Sequence, residues 1–155
     1  MNTLKTYIKN NFDTNGFKHF IEKNRNSNIY IGSVRHDNIE EFFTRINYNN
    51  YSKVNNLERH EFGIMFFKNG NVYIGEWSYD MIFGQGIMMY SNGHCYHGRW
   101  IDGEKDGKGT MTYACRKIYT GEWYEGYPDG YGKLIYKDGT VIKGTWNAGV
   151  CLDRE

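Results

Sequence analysis

Three closely spaced residues of types that can bind a metal ion are the first candidates for a functional site in this sequence. His94, Cys95 and His97 contain a His-x-x-His spacing. The turn and strand expected there would point positions i and i+3 to opposite faces, and no further ligands are spaced to complete a tetrahedral set. The sequence therefore predicts no metal site.

Glycines and carboxylates are the other candidates. The Gly-x-Gly motif at residues 84–86 lacks the third glycine of a dinucleotide fingerprint and precedes a predicted strand rather than a helix. Asp80, Asp102, Asp106 and Asp129 fall in predicted loops, where such residues usually close or solvate the turn. No nucleophile-base or paired-acid arrangement accompanies them. We therefore expect a protein that is not an enzyme and needs no cofactor.

Composition limits the classes of partner and compartment. The formal net charge of +1 lacks the basic excess of a nucleic-acid-binding protein. The three cysteines, Cys95, Cys115 and Cys151, are odd in number and widely spaced, which indicates neither a disulfide framework nor a zinc site. No apolar run suggests a signal peptide or a transmembrane helix. We expect an intracellular, cytoplasmic protein that does not bind nucleic acid.

Tryptophans reveal an internal repeat. Trp77, Trp100, Trp123 and Trp146 lie 23 residues apart, and tyrosine-glycine pairs keep the same interval. A backward step of the same length places Gly63 in the pattern. Three full units follow, at residues 73–95, 96–118 and 119–141. Each unit is expected to supply two antiparallel strands.

Turn signals and alternation define how the strands meet. Asn-Gly or Asp-Gly pairs at residues 69–70, 92–93 and 138–139 favour two-residue hairpins, in which both central residues have positive φ. The corresponding turn at residues 114–117 has no glycine, so we expect it to be the least regular. Alternation places aromatic residues and glycines together on one face, where glycine leaves room for a neighbouring ring.

The 23-residue unit resembles the membrane occupation and recognition nexus (MORN) repeat, Y-x-G-x-W-x-x-G-x-x-x-G-x-G-x-x-x-Y-x-x-G. The residues of one unit that carry this spacing are Trp100, Gly103, Gly107, Gly109 and Tyr113. The resemblance covers residues 63–149, with departures at Asp80, Arg116 and Ile142. It implies an elongated meander of antiparallel hairpins. It also implies arrays that serve as dimeric scaffolds or accompany signalling enzymes, and it adds phospholipid association as an alternative.

The N-terminal third is expected to be a cap with helical elements. Residues 16–20 and 30–34 echo the strands of a degenerate repeat, and about 20 residues are inserted before Gly63. Ile39, Phe42, Phe43 and Ile46 form an apolar stripe that predicts a short helix over about 38–47. We expect this helix to cover the back of the first hairpins.

A similar stripe predicts a second short helix near the start of the chain. Its residues are Leu4, Tyr7, Ile8 and Phe12. The expected organisation is therefore a capping region at 1–62, the repeat array at 63–149 and a C-terminal tail at 150–155.

The leading functional prediction is a non-catalytic scaffold that binds a protein partner through its aromatic-lined sheet. The alternative is association with phospholipid or a membrane surface, which is disfavoured because the sequence has no polybasic cluster. Self-association into a homodimer is a further prediction. The candidate binding residues are Tyr73, Trp77, Tyr90, Tyr96, Trp100, Tyr113, Tyr119, Trp123 and Tyr136.

Overall fold

A single antiparallel sheet organises the chain. The computed structural model describes residues 19–23, 28–36 and 57–153. Eleven strands lie side by side in chain order, and each pairs with the next. They are β1 (His19–Lys23), β2 (Ile29–His36), β3 (Leu57–Phe66), β4 (Val72–Ser78), β5 (Met81–Met89), β6 (Cys95–Ile101), β7 (Glu104–Thr112), β8 (Ile118–Tyr124), β9 (Tyr127–Ile135), β10 (Val141–Asn147) and β11 (Val150–Cys151).

This topology confirms the predicted antiparallel meander. The part of the chain that the structure describes contains no helix, and so none that could cross a membrane. Both predicted N-terminal helices lie outside the described residues. The proposed cover over the back of the first hairpins therefore stays a prediction.

A row of glycines runs across the middle of the sheet and sets its register. From β2 to β10 each strand places one glycine opposite a glycine of the next strand, beginning with Gly32 and Gly63. The row exists because tyrosine rings lie flat over it. A Cβ atom at Gly109, for example, would collide with the ring and hydroxyl of Tyr96. Glycine is therefore required here for space, as the alternation pattern predicts.

The Asn-Gly and Asp-Gly turns differ from the predicted two-residue type. Tyr90 N donates to His94 O and Gly93 N donates to Tyr90 O, both at 2.9 Å, which closes a three-residue loop. Gly93 has φ 83°, whereas Asn92 has no positive φ. Asn92 acts through its side chain instead, because its Oδ1 accepts a hydrogen bond from His94 N at 3.1 Å. The prediction of positive φ at both residues was wrong for these turns.

Two-residue turns in which both residues have positive φ lie at the other ends of the strands. They fall at residues 79–80, 102–103, 125–126 and 148–149. Three of them end in glycine, but the first is Tyr79-Asp80, with φ values of 48° and 66°. Asp80 offsets this strain by accepting hydrogen bonds at Oδ1 from Arg59 N at 2.7 Å and from Arg59 Nε at 2.8 Å. These hydrogen bonds thus stabilise the turn although Asp80 stands where the repeat pattern has glycine.

The turn at residues 114–117 is regular, contrary to expectation. Tyr113 N donates to Lys117 O and Arg116 N donates to Tyr113 O, both at 2.8 Å, as in the neighbouring turns. Arg116 occupies the glycine position with φ 67°. The loop geometry is imposed by the strands on either side, so a non-glycine residue adopts a conformation that it rarely takes alone.

The degenerate N-terminal repeat joins the same sheet. β2 pairs with β3 as the later hairpins pair, with Tyr30 opposite Met65 and Gly32 opposite Gly63. The predicted strand at residues 30–34 is thus confirmed. The expected boundary between residues 62 and 63 falls inside β3.

Candidate binding surface

The face that carries the tyrosines and tryptophans, called here the front face, forms the core. Each tyrosine ring lies edge-on between two tryptophans, one from its own hairpin and one from the next. Tyr96 illustrates this, with its ring centroid 5.0 Å from that of Trp100 and 5.1 Å from that of Trp123. Tyr73 and Tyr119 repeat the arrangement. Such contacts add about 0.5–1.5 kcal/mol each beyond burial of the rings.

Hydrogen bonds satisfy the polar tips of these rings. The Tyr96 hydroxyl donates to Arg99 O at 3.0 Å. Trp100 Nε1 donates to Gly86 O at 3.3 Å, and Trp123 Nε1 donates to Gly109 O at 3.2 Å. Burial also raises the pKa of the Tyr96 hydroxyl, because the ionised form would lose its hydration. The polar atoms of Tyr96, Trp100 and Trp123 are therefore hydrogen-bonded within the packed layer.

The nine predicted binding residues divide into two groups on this face. Six are 0–4% exposed: Tyr73, Trp77, Tyr96, Trp100, Tyr119 and Trp123. Of the remaining three, Tyr90 and Tyr113 pack at the margin of the core, and Tyr136 is 38% exposed. Eight of the nine are thus packing residues. Contact with a partner stays a prediction, and the last three tyrosines have the surface to make it.

Cations cover two of the tryptophans, which the sequence did not predict. Arg59 lies with its guanidinium carbon 4.7 Å from the Trp77 ring centroid, and Lys105 Nζ lies 4.5 Å from that of Trp123. Burial lowers the pKa of Lys105, while the ring face favours its charged form. Arg59 and Lys105 are 46 positions apart, which is the length of two repeats. This spacing is the feature of the sequence from which the two equivalent cations could have been predicted.

The first junction of the array is less complete than the others. Trp77 Nε1 is buried and donates no hydrogen bond, although the same atom of the later tryptophans does. Opposite Trp77, Glu61 has φ 59°, where the later strands have glycine at this position. The repeat pattern therefore weakens at β3, as the sequence indicates.

The opposite side, called here the back face, carries three exposed tyrosines. Tyr124, Tyr127 and Tyr131 are 58%, 60% and 52% exposed and lie on the paired strands β8 and β9. Beside them is an open trough of about 600 Å³. Its charged lining residues are Arg99, Asp106, Lys108, Glu122 and Asp129, and its aromatic lining residues are Trp123 and Tyr124. This surface can bind a ligand through rings and charges together.

The histidine and cysteine cluster has a structural role at one turn. His94 Nδ1 accepts a hydrogen bond from Ala114 N at 2.9 Å and so ties two successive turns together. His97 is exposed on the back face, in register with Thr110. Among the described residues, no group of three His, Cys, Asp or Glu side chains is arranged to hold a metal ion.

Comparison with family models identifies the repeat. The MORN repeat model matches residues 73–95, 96–114 and 119–141, in step with the glycine row and the stacked rings. Residues 73–141 of this chain are an array of MORN repeats. The matched units correspond to β4 through β9 together with the start of β10.

Whole-chain comparisons add little about the activity of the MORN array. A search of curated proteins found no match. Among solved structures, the chain is similar to the TCP domain of Drosophila melanogaster SAS-4 (dCPAP), solved in complex with a proline-rich motif of Ana2 (dSTIL). The identity is 16%, the TM-score is 0.32, and the match covers 91% of this chain and 89% of that one.

Proposed function

We propose that this protein is a non-catalytic MORN scaffold that binds a polypeptide partner through the back face of β6–β9. The observation that carries the proposal is the group of three exposed tyrosines beside the charge-lined trough. Exposed rings on a rigid sheet supply large contact area with little loss of side-chain entropy. Extended repeat arrays commonly offer such surfaces to partners.

Charge supports a polypeptide rather than a membrane as the partner. The trough carries two cations, Arg99 and Lys108, together with three carboxylates. Anionic lipid favours uninterrupted basic patches. A protein surface can match mixed charges one by one, and such matching gives specificity.

The test compares the two faces in a single pull-down with cell extract and mass spectrometry. The back-face variant is the double substitution Tyr127→Ser and Tyr131→Ser, and the front-face variant is Tyr136→Ser. We expect the first to lose the recovered partners and the second to keep them, with both variants folded by circular dichroism. Loss only with Tyr136→Ser would instead support the predicted aromatic front face.

Two further measurements address the alternatives. Sedimentation with vesicles that contain phosphatidylserine would support lipid association if the wild-type chain co-sedimented. Light scattering after size exclusion would detect a homodimer, which would be the partner itself if the tyrosine double variant were monomeric. Partners lost by neither variant would overturn the proposal for this surface.

A further inference from the structure

The MORN hairpins offer three equivalent positions at which one side chain lies across a bulge in the next strand. In β8 this residue is Glu122, whose Oε2 accepts a hydrogen bond from Tyr131 N at 2.9 Å. The same carboxylate stands where a Cβ atom of Gly130 would lie. In β4 the residue is Glu76, and its carboxylate contacts Gly84 in the same way. The chain thus places its own carboxylate at two of the three bulges.

The middle bulge has the opposite charge. Arg99 replaces the glutamate, and its aliphatic stem lies 3.2 Å from the position of a Cβ atom at Gly107. Lys108 lies on the facing strand β7, within the register shift between the pairs Gly98–Gly109 and Trp100–Lys105. Two cations therefore line one trough at the place where the neighbouring hairpins hold a carboxylate.

Neither cation forms an ion pair within the described residues. Arg99 is in register with the neutral Gln85 on β5, and Lys108 is in register with Glu122 on β8. The Glu122 carboxylate accepts a hydrogen bond from Tyr131 N on β9 and forms no ion pair with Lys108. Across residues 57–153 the ion pair found is Arg59 with Asp80, so none forms at Arg99 or Lys108. Arg99 and Lys108 line the same trough, so a bound anion would reduce the repulsion between them.

We propose that Arg99 and Lys108 form a subsite for a carboxylate side chain, Glu or Asp, of the bound polypeptide. This inference rests on the function proposed above and names the chemistry of the partner. A carboxylate fits because Glu122 supplies one at the neighbouring bulge. The other acidic residues of the trough, Asp106 and Asp129, repel a dianionic phosphate more strongly than a single negative charge.

The test uses a random dodecapeptide library displayed on phage and selected against the whole chain. We expect the retained peptides to be enriched in Glu and Asp relative to the library. Synthetic copies should bind Arg99→Glu about fivefold or more weakly than wild type, since one favourable pair becomes a repulsive one. Glutamate already occupies this position in two other hairpins, so the variant is expected to fold, and a thermal melt checks this.

The matched control is Lys137→Glu, which makes the same charge change on an exposed turn. It should leave the affinity unchanged, and equal weakening by both variants would overturn the subsite. Displacement of the peptide by inorganic phosphate as readily as by acetate would overturn the carboxylate assignment. Binding of phosphatidylserine vesicles that Arg99→Glu abolishes would assign the subsite to lipid and overturn it as well.

Failure of the subsite and failure of the proposed function are distinguishable in the same selection. Peptides that need Tyr127 and Tyr131 but not Arg99 would overturn the subsite and leave the function in place. A selection that yields no specific peptide would overturn both.

Discussion

The front and back faces of this sheet differ in how far their residue types change along the array, although every strand contributes to both faces. On the front face of β4–β9 the same tyrosine, glycine and tryptophan recur, and the hydrogen bonds from ring to backbone recur too, except at Trp77 Nε1. On the back face one register row changes from apolar to polar to basic. That row reads Ile64, Ile74, Ile87, His97, Thr110, Thr120, Lys133 and Lys143.

The difference separates stability from recognition. Within residues 19–23, 28–36 and 57–153 the structure shows one sheet and no second layer, so the same rings recur on the front face of successive hairpins. The back face has no such constraint, and its residues can vary without loss of packing. The comparison predicts large stability effects on one side and small ones on the other.

The largest expected effect is that of Gly109→Val on the front face. The new side chain would overlap the Tyr96 ring, and relief of that overlap should lower the free energy of unfolding by about 3 kcal/mol. Thr110→Val is the control on the next residue. It loses the Thr110–Thr120 hydroxyl hydrogen bond of 3.1 Å and should cost about 1 kcal/mol. Equal midpoints in urea titrations would disprove the division between faces.

Alkaline pH should destabilise the sheet chiefly through the buried tyrosines of the front face. Burial, with a smaller contribution from Glu122, raises the pKa of Tyr119 to about 12 from its ordinary value near 10. Between these values the unfolded chain loses a proton that the folded chain keeps, so stability falls as pH rises above 10. Tyr119→Phe should make this decline shallower by up to about 1.4 kcal/mol per pH unit. Urea titrations from pH 9 to 11.5 measure it, and an unchanged slope would contradict the role of burial.

Tyr96→Phe should change stability less than Gly109→Val or the alkaline titration of Tyr119. It keeps the stacked ring and removes the hydroxyl that donates to Arg99 O, so we expect a loss of about 1 kcal/mol. The back-face counterpart is Tyr127→Phe, at a residue that is 60% exposed, and it should be neutral within about 0.5 kcal/mol. Thermal unfolding of the pair decides the point, and equal losses would show that front-face hydroxyls contribute nothing special.

A modest effect of the opposite sign is expected at the turns, outside both faces. Arg116→Gly removes a side chain from a residue with φ 67° and should stabilise the chain by about 0.5–1 kcal/mol. Gly93→Arg is the converse change at the equivalent turn and should destabilise by a similar amount. Calorimetric midpoints that move the same way for both would refute this account of the turn.

Prediction from sequence succeeded for features that the residue pattern of a single strand determines, such as which side chains share a face. Alternation placed Tyr96, Gly98 and Trp100 on one face, and the structure confirms them there as packed neighbours. It was less successful at turns, because Asn92-Gly93 suits two loop types and the hydrogen bond of the asparagine side chain selects the longer one.

The sequence by itself determined the sheet, its repeat and its core, since a 23-residue period fixes which side chain types fall on the front of every strand. Only the tertiary structure decided where the charges of the back face meet. Arg99, Lys108 and Glu122 belong to three strands, and their relation depends on register, on the shift after Gly98 and on the hydrogen bond that the Glu122 carboxylate accepts. These are properties of neighbouring strands in contact, and the alternation within one strand does not contain them.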